Sequence, residues 1–391
     1  MSAPWVGAGL LVLPVVYAAL MLRLRQAWAA LPTVAPIESA PSAGAGAFAD
    51  AAGPLFSVLI AARNEAHNIP NLLRDLARQQ LPPGRFEVLI ADDYSTDDTA
   101  RLVAEAASHS SFSLRLIMLR EEPGAGTGKK AALQAALYRA RAPWVVCTDA
   151  DCRFGPDWLG SYAAVVTTDT AARFISGPVL LTGPATGWQQ LMGLEFAGLV
   201  GVGAAGIGWH RPTMCNGANL AYERTAFAAV RGFAGNEHLA SGDDEFLLHK
   251  LHAAFPGSIR FLKSPAAVVS TAAPTTLGAL LRQRVRWASK WRHYRHPASQ
   301  QLAVLVLGAN VALFAALLLT FARPVLWPWT LVAWALKLGA DAWFLTPVLA
   351  CLGRRRWRRW LPVLQMLYAP YALATGLLGL RGRYAWKGRQ L

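Results

Sequence analysis

The chain has 391 residues, 54% of them hydrophobic, and carries 38 Lys and Arg against 23 Asp and Glu for a formal net charge of +15. The apolar share is too high for a wholly soluble protein, and it concentrates in runs near the two ends, leaving a middle that reads as a soluble α/β domain. The charge favours anionic partners, and because the basic residues gather beside apolar runs at 282–295, 354–359 and 381–389, membrane orientation and lipid contact account for them better than nucleic acid does.

Residues 6–22 form an uncharged apolar run followed by Arg23 and Arg25, long enough to span a bilayer core. The run lacks the positive leading segment of a secretory signal. A transmembrane anchor is therefore expected over 1–25. Residues 26–54, rich in Ala, Pro, Gly and Ser beyond position 32, read as a flexible linker.

From residue 55 short apolar strands alternate with helices. Strands are expected at 56–61, 86–91, 114–119 and 144–148, and helices at 68–80, 96–108 and 128–141. Alternating β and α units imply a mainly parallel sheet covered on both faces, with ligands gathering beyond the carboxyl ends of the strands. This α/β domain is expected over 55–275, followed by a basic amphipathic helix at 276–300.

Three apolar stretches then fill a C-terminal membrane region over 301–391. The first is 302–321. The second, 325–352, contains Lys337 and Asp341, four apart on one helix face and expected to pack inward. The third, 361–380, contains Pro362 and Pro370. Positive charge on the inner side places the α/β domain in the cytoplasm. The basic residues after 380 fit that rule only if the last segment does not cross, so the pattern is compatible with three crossings or four.

Five motifs carry chemistry. Asp92 and Asp93 close a strand, where carboxylates can accept hydrogen bonds from a nucleobase or ribose. Asp97 and Asp98 behind them suit the start of a helix. The glycine-rich turn Gly124-Ala125-Gly126-Thr127-Gly128-Lys129-Lys130 opens a helix whose amide groups and lysine suit a diphosphate, although its spacing is not that of a P-loop. Asp149-Ala150-Asp151 closes another strand, and two carboxylates one residue apart can grip a hard divalent cation. Ser241-Gly242-Asp243-Asp244-Glu245 gathers three acids that suit a metal, a cation or a proton-transfer role, or simply a helix start.

The fifth is Gln283-Arg284-Val285-Arg286-Trp287, where Trp287, Trp291 and Tyr294 make an aromatic stripe among basic residues, the pattern of a membrane-interface helix. The cysteines Cys147, Cys152, Cys215 and Cys351 show no zinc spacing, and Cys147 and Cys152, which flank an expected strand end, read as packing residues.

In this order, with Ala61-Ala62-Arg63-Asn64-Glu65 ahead of them, the motifs resemble those of family 2 glycosyltransferases with a GT-A fold. Gln283 to Trp287 narrow the likeness to the membrane-associated branch, which includes cellulose, hyaluronan and poly-N-acetylglucosamine synthases and ceramide glucosyltransferases. The resemblance implies a Rossmann-like α/β catalytic domain with N- and C-terminal transmembrane helices. It implies that Asn64, Glu65, Asp92, Asp93 and Gln283 serve the donor, with Lys129 near its diphosphate. Asp149 and Asp151 would hold Mg²⁺ or Mn²⁺ and the donor phosphates.

Asp244 would be the general base, with Asp243 the second candidate. Arg286 would steady the leaving diphosphate and Trp287 would border the acceptor. The segment from Met214 to Leu220 resembles the acceptor-side loop. Residues 198–208, which lack charge, read with their flanks as a helix and turn at the acceptor entrance and not as a span.

The expected function is inverting transfer of a hexose or N-acetylhexosamine from a nucleotide-sugar, by family default UDP-linked, to a lipid or saccharide acceptor. With no organelle signal in view, the expected location is a bacterial inner membrane. Polymer-threading synthases of the branch usually carry more membrane helices, so single transfer onto a lipid suits this chain better. A processive, exporting synthase is the main alternative, since short synthases of the class exist and partner membrane subunits could supply the missing helices. A non-catalytic membrane scaffold is the remaining alternative, and the presence of every expected acid argues against it.

Overall fold

A computed structural model describes residues 3–37, 53–124, 126–184, 186–235, 242–288, 297–379, 385–386 and 389–390. The chain divides into two compact units. The first, an α/β unit, comprises Leu31–Leu181 and Ile207–Ala272, and the second, a helical unit, comprises Met1–Ala30, Thr182–Gly206 and Ala273–Leu391.

The α/β unit begins with β1 (Phe56–Ala62), α2 (Ile69–Ala77), β2 (Phe86–Asp92), α3 (Thr99–Ala107), β3 (Ser113–Met118), α4 (Lys129–Tyr138) and β4 (Trp144–Asp149), where α1 is the N-terminal helix of the helical unit, Ala3–Ala30. Every residue of β2 is buried, as is all of β1 except Ala61, as a strand covered on both faces requires. The helices cover the sheet through apolar residues at helical spacing, Ile69, Leu72 and Leu76 on α2 and Ala132, Leu133 and Ala136 on α4.

β1 to β4 are mutually parallel, in the order β3-β2-β1-β4. Beyond β4 the sheet turns mixed. β7 (Leu220–Glu223) runs antiparallel to β4, and β5 (Phe174–Ser176) runs antiparallel to β7 and parallel to β8 (Ile259–Phe261). A separate pair joins β6 (Val179–Thr182) to β9 (Val269–Ala272). Two further helices, α5 (Trp158–Val166) and α7 (Arg224–Ala229), complete this part, with α8 (Asp243–Ala254) behind them; α6 is Gly187–Gly208.

Register places Ala62 of β1 opposite Asp92 and Ala61 opposite Asp149. The acidic ends of β2 and β4 thus flank the end of β1 on one edge. At the opposite edge buried Glu87 accepts from the Ser57 hydroxyl at 2.7 Å and pairs with Arg141 at 2.9 Å and Arg115 at 2.8 Å.

The segment expected as a linker over 26–54 is helical to Ala30. After it, Thr33 bridges to Lys263 and the Ile37 amide donates to the Gly160 carbonyl at 3.3 Å. Residues 38–52 lie outside the described ones.

In the helical unit follow α9 (Leu277–Ala288), α10 (Pro297–Ala322), α11 (Trp327–Cys351) and α12 (Leu361–Gly379). Among the described residues four helical segments are long and apolar enough to cross a membrane: Trp5–Ala30, Gly187–Gly208, Ser299–Ala322 and Pro324–Cys351. The second was expected as a helix and turn; it is one 22-residue helix, and most of it is buried. Its absence of charge beyond Glu195 gives it the composition of a span while its packing covers it.

Lys337 and Asp341 pack inward, 2.7 Å apart, and Asp341 also accepts from the Tyr17 hydroxyl of α1 at 2.6 Å. Each buried charge in this apolar setting therefore has a partner, as burial demands.

Candidate active site

The loops after β1 and β2 are laced together. Asn64 takes the left-handed backbone region, φ 53°, which Asn tolerates better than most residues. Its amide donates to Ser95 Oγ at 2.9 Å and its Oδ1 accepts from the Thr96 amide at 2.8 Å. The Glu65 amide donates to Thr99 Oγ1 at 2.8 Å, and its carboxylate accepts from Asn68 at 2.7 Å.

Asp97 serves the helix start as expected, accepting from the Thr99 amide at 3.0 Å and the Ala66 amide at 3.1 Å. Asp98 does not. It occupies the position before α3, but its carboxylate turns to Arg101 at 3.0 Å, because two adjacent acids cannot both reach the same orphan amides.

Asp92 is fully buried and accepts from the Ser95 amide at 3.1 Å, closing the turn after β2. Asp93 is buried too and accepts from the Gly128 amide at 3.0 Å. One amide of the glycine-rich turn is thus engaged by Asp93. Gly128 has φ 96°, a conformation that favours glycine, and it delivers Lys129 at the first position of α4.

Lys129 is the hub. Its Nζ lies 2.5 Å from Asp149 Oδ1. Burial acts to lower its pKa, but the carboxylates of Asp149, Asp243 and Asp244 outweigh burial and hold it above the ordinary lysine value. The ammonium is therefore charged throughout the physiological range.

Asp243 and Asp244 open α8 after Gly242, φ 94°; Ser241 lies outside the described residues. Asp243 is buried, whereas Asp244 is half-exposed and accepts from the Gly217 amide at 2.8 Å and the Glu245 amide at 2.9 Å. A Cβ added at Gly217 would lie 3.2 Å from Lys129 Nζ and 3.4 Å from Asp244 Oδ2. Gly217 thus sits between the lysine and the second acid.

Asp149, Asp151 and Cys152 bring their ligand atoms within 4.8 Å of one another. The two carboxylates suit a hard divalent cation, with remaining positions for phosphate or water oxygens. Cys152 does not, since sulfur is a soft ligand and burial, with the charges of Asp149 and Asp151, drives its thiol pKa well up. The residues present therefore fit Mg²⁺ or Mn²⁺.

Several positioning residues gave no sequence signal. Thr271 Oγ1 donates to Asp151 Oδ2 at 3.0 Å from 120 residues away. Arg153 grips Asp75 through two bonds of 2.5 and 2.9 Å and bridges to Ser270 through its backbone, which clamps the turn after Asp151.

Asn219 is wholly buried. Its Oδ1 accepts from Trp158 at 2.9 Å and Tyr162 at 2.8 Å, and its Nδ2 donates to the carbonyls of Pro178 at 2.8 Å and Ala267 at 2.9 Å. The amide's polar atoms are all engaged, which fixes the loop bearing Gly217. The likeness of the Met214 to Leu220 segment to an acceptor-side loop was the one hint the sequence held.

Gln283, Arg286 and Trp287 lie on α9, in the helical unit. Gln283 accepts from Arg284 at 2.9 Å, and the Trp287 ring stacks 4.3 Å from the Arg284 guanidinium and 5.8 Å from Phe196. Arg286 is half-buried. Trp291 and Tyr294 lie outside the described residues. None of the four cysteines is in a disulfide among the described residues.

A family model described as glycosyl transferase family 2 matches residues 57–192, and one described as glycosyl transferase family group 2 matches residues 144–353, more than half of the chain. The chain is a family 2 glycosyltransferase. Its α/β unit is the GT-A domain of that family, and a mannosyltransferase from Pyrobaculum calidifontis, solved in complex with GDP-Man and Mn²⁺, shares the fold at a TM-score of 0.55 and 22% identity over 97% of each chain.

Among curated relatives, a beta-monoglucosyldiacylglycerol synthase from Nostoc sp. is 36% identical over 106 residues, 27% of this glycosyltransferase and 22% of that one. The probable glycosyltransferase YdaM of Bacillus subtilis is 26% identical over 239 residues, 60% of this chain and 54% of that one. This glycosyltransferase thus spans from about a fifth to about half of those relatives' lengths.

Proposed function

We propose that this glycosyltransferase moves a hexose or N-acetylhexosamine from a nucleotide-sugar, UDP-linked in the first instance, to a lipid acceptor at the cytoplasmic face of a membrane, with inversion at the anomeric carbon. The observation that carries the reading is the placing of Asp149 and Asp244 beside Lys129 at the carboxyl edge of the sheet. The helices long and apolar enough to cross a membrane support the membrane location, and the relative named for a glucosyldiacylglycerol supports a lipid acceptor.

In this reading Asp244 removes the proton from the acceptor hydroxyl as that oxygen attacks. Its carboxylate is the more exposed of the pair and is oriented by two backbone amides, so a fixed oxygen faces the incoming hydroxyl. Asp149 and Asp151 would hold Mg²⁺ or Mn²⁺, which when bound neutralises charge on the departing diphosphate. Lys129, permanently cationic beside Asp149, adds positive charge where negative charge develops. Asn64, Glu65, Asp92 and Asp93 shape the nucleoside side through the laced loops. The roles expected of Gln283, Arg286 and Trp287 rest on their motif.

Purified protein incubated with a panel of UDP-sugars, Mn²⁺ or Mg²⁺ and a membrane lipid extract should release UDP and yield a lipid bearing one or two sugars. Release should stop on metal chelation and in Asp151→Ala. Metal-independent release would refute the metal role, and a polymer ladder in place of a discrete glycolipid would establish a processive synthase instead.

A further inference from the structure

The segment joining α11 to α12 carries none of the residues given a role in the transfer reaction above. Two residues beyond α11, Gly353 takes φ 67° and reverses the chain, with the Arg354 amide donating to the Leu349 carbonyl at 2.7 Å. A six-residue 3₁₀-helix follows, Arg355–Trp360. Three residues per turn and about 2 Å of rise per residue put i and i+3 in line, about 6 Å apart. Trp357 and Trp360 therefore form one row, Arg355 and Arg358 a second, and Arg356 and Arg359 a third.

The tryptophan row is the anchored one. Both rings are half-buried, and Trp360 Nε1 donates to Gln190 Oε1 at 2.9 Å. The Trp360 ring also lies against Gly187, where an added Cβ would come within 2.6 Å of it. Arg359 reaches the same Gln190 oxygen at 2.9 Å, while Arg354 and Arg359 lie over the rings of Trp357 and Trp360 at 5.6 and 5.7 Å.

The aromatic face is thus fixed to α6, and all five arginines, Arg354, Arg355, Arg356, Arg358 and Arg359, are exposed. Among the described residues none of the five is paired with a carboxylate. Five like charges in six positions repel one another unless an external anion compensates them. The turn directly follows a helix long and apolar enough to cross a membrane, with tryptophans of the kind that settle at headgroup depth. Planar guanidinium forks in line can share one phosphate between neighbours.

We infer that this turn is a binding site for anionic phospholipid headgroups, whose phosphodiester charge is taken by Arg355, Arg356 and Arg358. The inference rests on the membrane placement proposed above and is independent of which sugar is transferred.

The test titrates the detergent-solubilised full chain with phosphatidylglycerol or phosphatidylcholine, counting bound lipid by native mass spectrometry without nucleotide-sugar. Wild type should bind phosphatidylglycerol more tightly, with the preference shrinking as salt rises. The triple variant Arg355→Gln, Arg356→Gln, Arg358→Gln should lose about fivefold per arginine, on the order of a hundredfold together, with phosphatidylcholine binding unchanged. The corresponding Lys triple variant keeps the charge that governs insertion and should retain a preference for phosphatidylglycerol.

Equal binding of both lipids by wild type, or an undiminished preference in the Gln triple variant, would overturn the site. So would binding of glycerol 3-phosphate as tight as that of the lipid, which would mark a soluble phosphate as the ligand. Alkaline extraction of the membranes is run in parallel: release of the chain would refute the membrane placement itself, separately from the lipid titration.

Discussion

Replacing Asp244 by Asn separates chemistry from architecture, because the side chains are nearly the same size and differ in charge and in one acceptor. The native carboxylate uses one oxygen for the Gly217 amide at 2.8 Å and the other for the Glu245 amide at 2.9 Å. Asn has a single oxygen, so one of those amides meets an NH₂ group. That structural loss is about 1 kcal/mol for a half-exposed hydrogen bond, or about fivefold if all of it fell on kcat. Loss of a general base is larger, about 10²–10⁴-fold, equivalent to about 3–5 kcal/mol.

The Asp244→Asn enzyme should therefore lose at least about a hundredfold in kcat for UDP release at saturating donor, with a melting temperature lowered by only about 2–4 °C. UDP affinity should hold within a few-fold, since the two acids of the Asp149 turn remain. Asp243→Asn, altering the buried neighbour, should reduce kcat less. A kcat within about tenfold of wild type in Asp244→Asn would refute the assignment. If Asp243→Asn fell further, the base would be Asp243; if both stayed within that range, no aspartate of this pair removes the proton.

The remaining predictions test the supports. Thr271→Val removes the hydroxyl that orients Asp151 and should weaken Mn²⁺ binding about 10–100-fold by electron paramagnetic resonance, with Thr271→Ser restoring it; unchanged affinity would dismiss Thr271 as a positioning residue. Asn219→Leu strands the Trp158 and Tyr162 donors and the carbonyls of Pro178 and Ala267, and should cost at least about 3 kcal/mol in thermal or denaturant unfolding. Glu87 gives the pH dependence: burial pushes its pKa up, but the Ser57 hydroxyl, the Arg141 amide and guanidinium and the Arg115 charge prevail and hold it below the ordinary 4.5. A depressed carboxyl stabilises the fold above its unfolded value and loses that contribution as pH falls through the folded value, so the melting temperature should drop as pH falls below about 4.5, and Glu87→Gln should flatten that acid limb.

The β1-to-β4 half of the sheet was legible because each element is long and periodic enough to declare itself. The later strands were not. β5 and β8 have three residues each, too few for an alternation to show; β5 forms on the edge that β7 offers and β8 on the edge of β5. The acids at strand ends were legible as chemistry because a parallel sheet sends its carboxyl ends to one edge.

Asp92 shows the limit. Adjacent residues at a strand end point to opposite faces, so Asp92 and Asp93 take different partners, the Ser95 amide and the Gly128 amide, and sequence carries no sign of which closes the turn. Thr271 and Asn219 act through partners 120 and up to 61 residues away, contacts that only the folded chain creates.

The two arginines of the α9 motif pose the same problem, and packing separates them. Arg284 is 5% exposed, and all three of its nitrogens are engaged: Nε with the Tyr371 hydroxyl at 2.9 Å, Nη1 with Gln283 at 2.9 Å and Nη2 with Glu195. Burying such a pair is expensive unless each polar atom finds a partner, and here three helices supply them, α6 through Glu195, α9 through Gln283 and α12 through Tyr371. The arrangement works as a register pin: a slip of α6 or α9 would leave a buried charge unpaired, and a slip of α12 would strip the guanidinium of its Tyr371 partner. It also sets Trp287, whose ring lies on the Arg284 guanidinium. A guanidinium with every nitrogen so committed belongs to the architecture, and the arginine of the motif that we propose for the leaving group is Arg286, half-buried on the same helix.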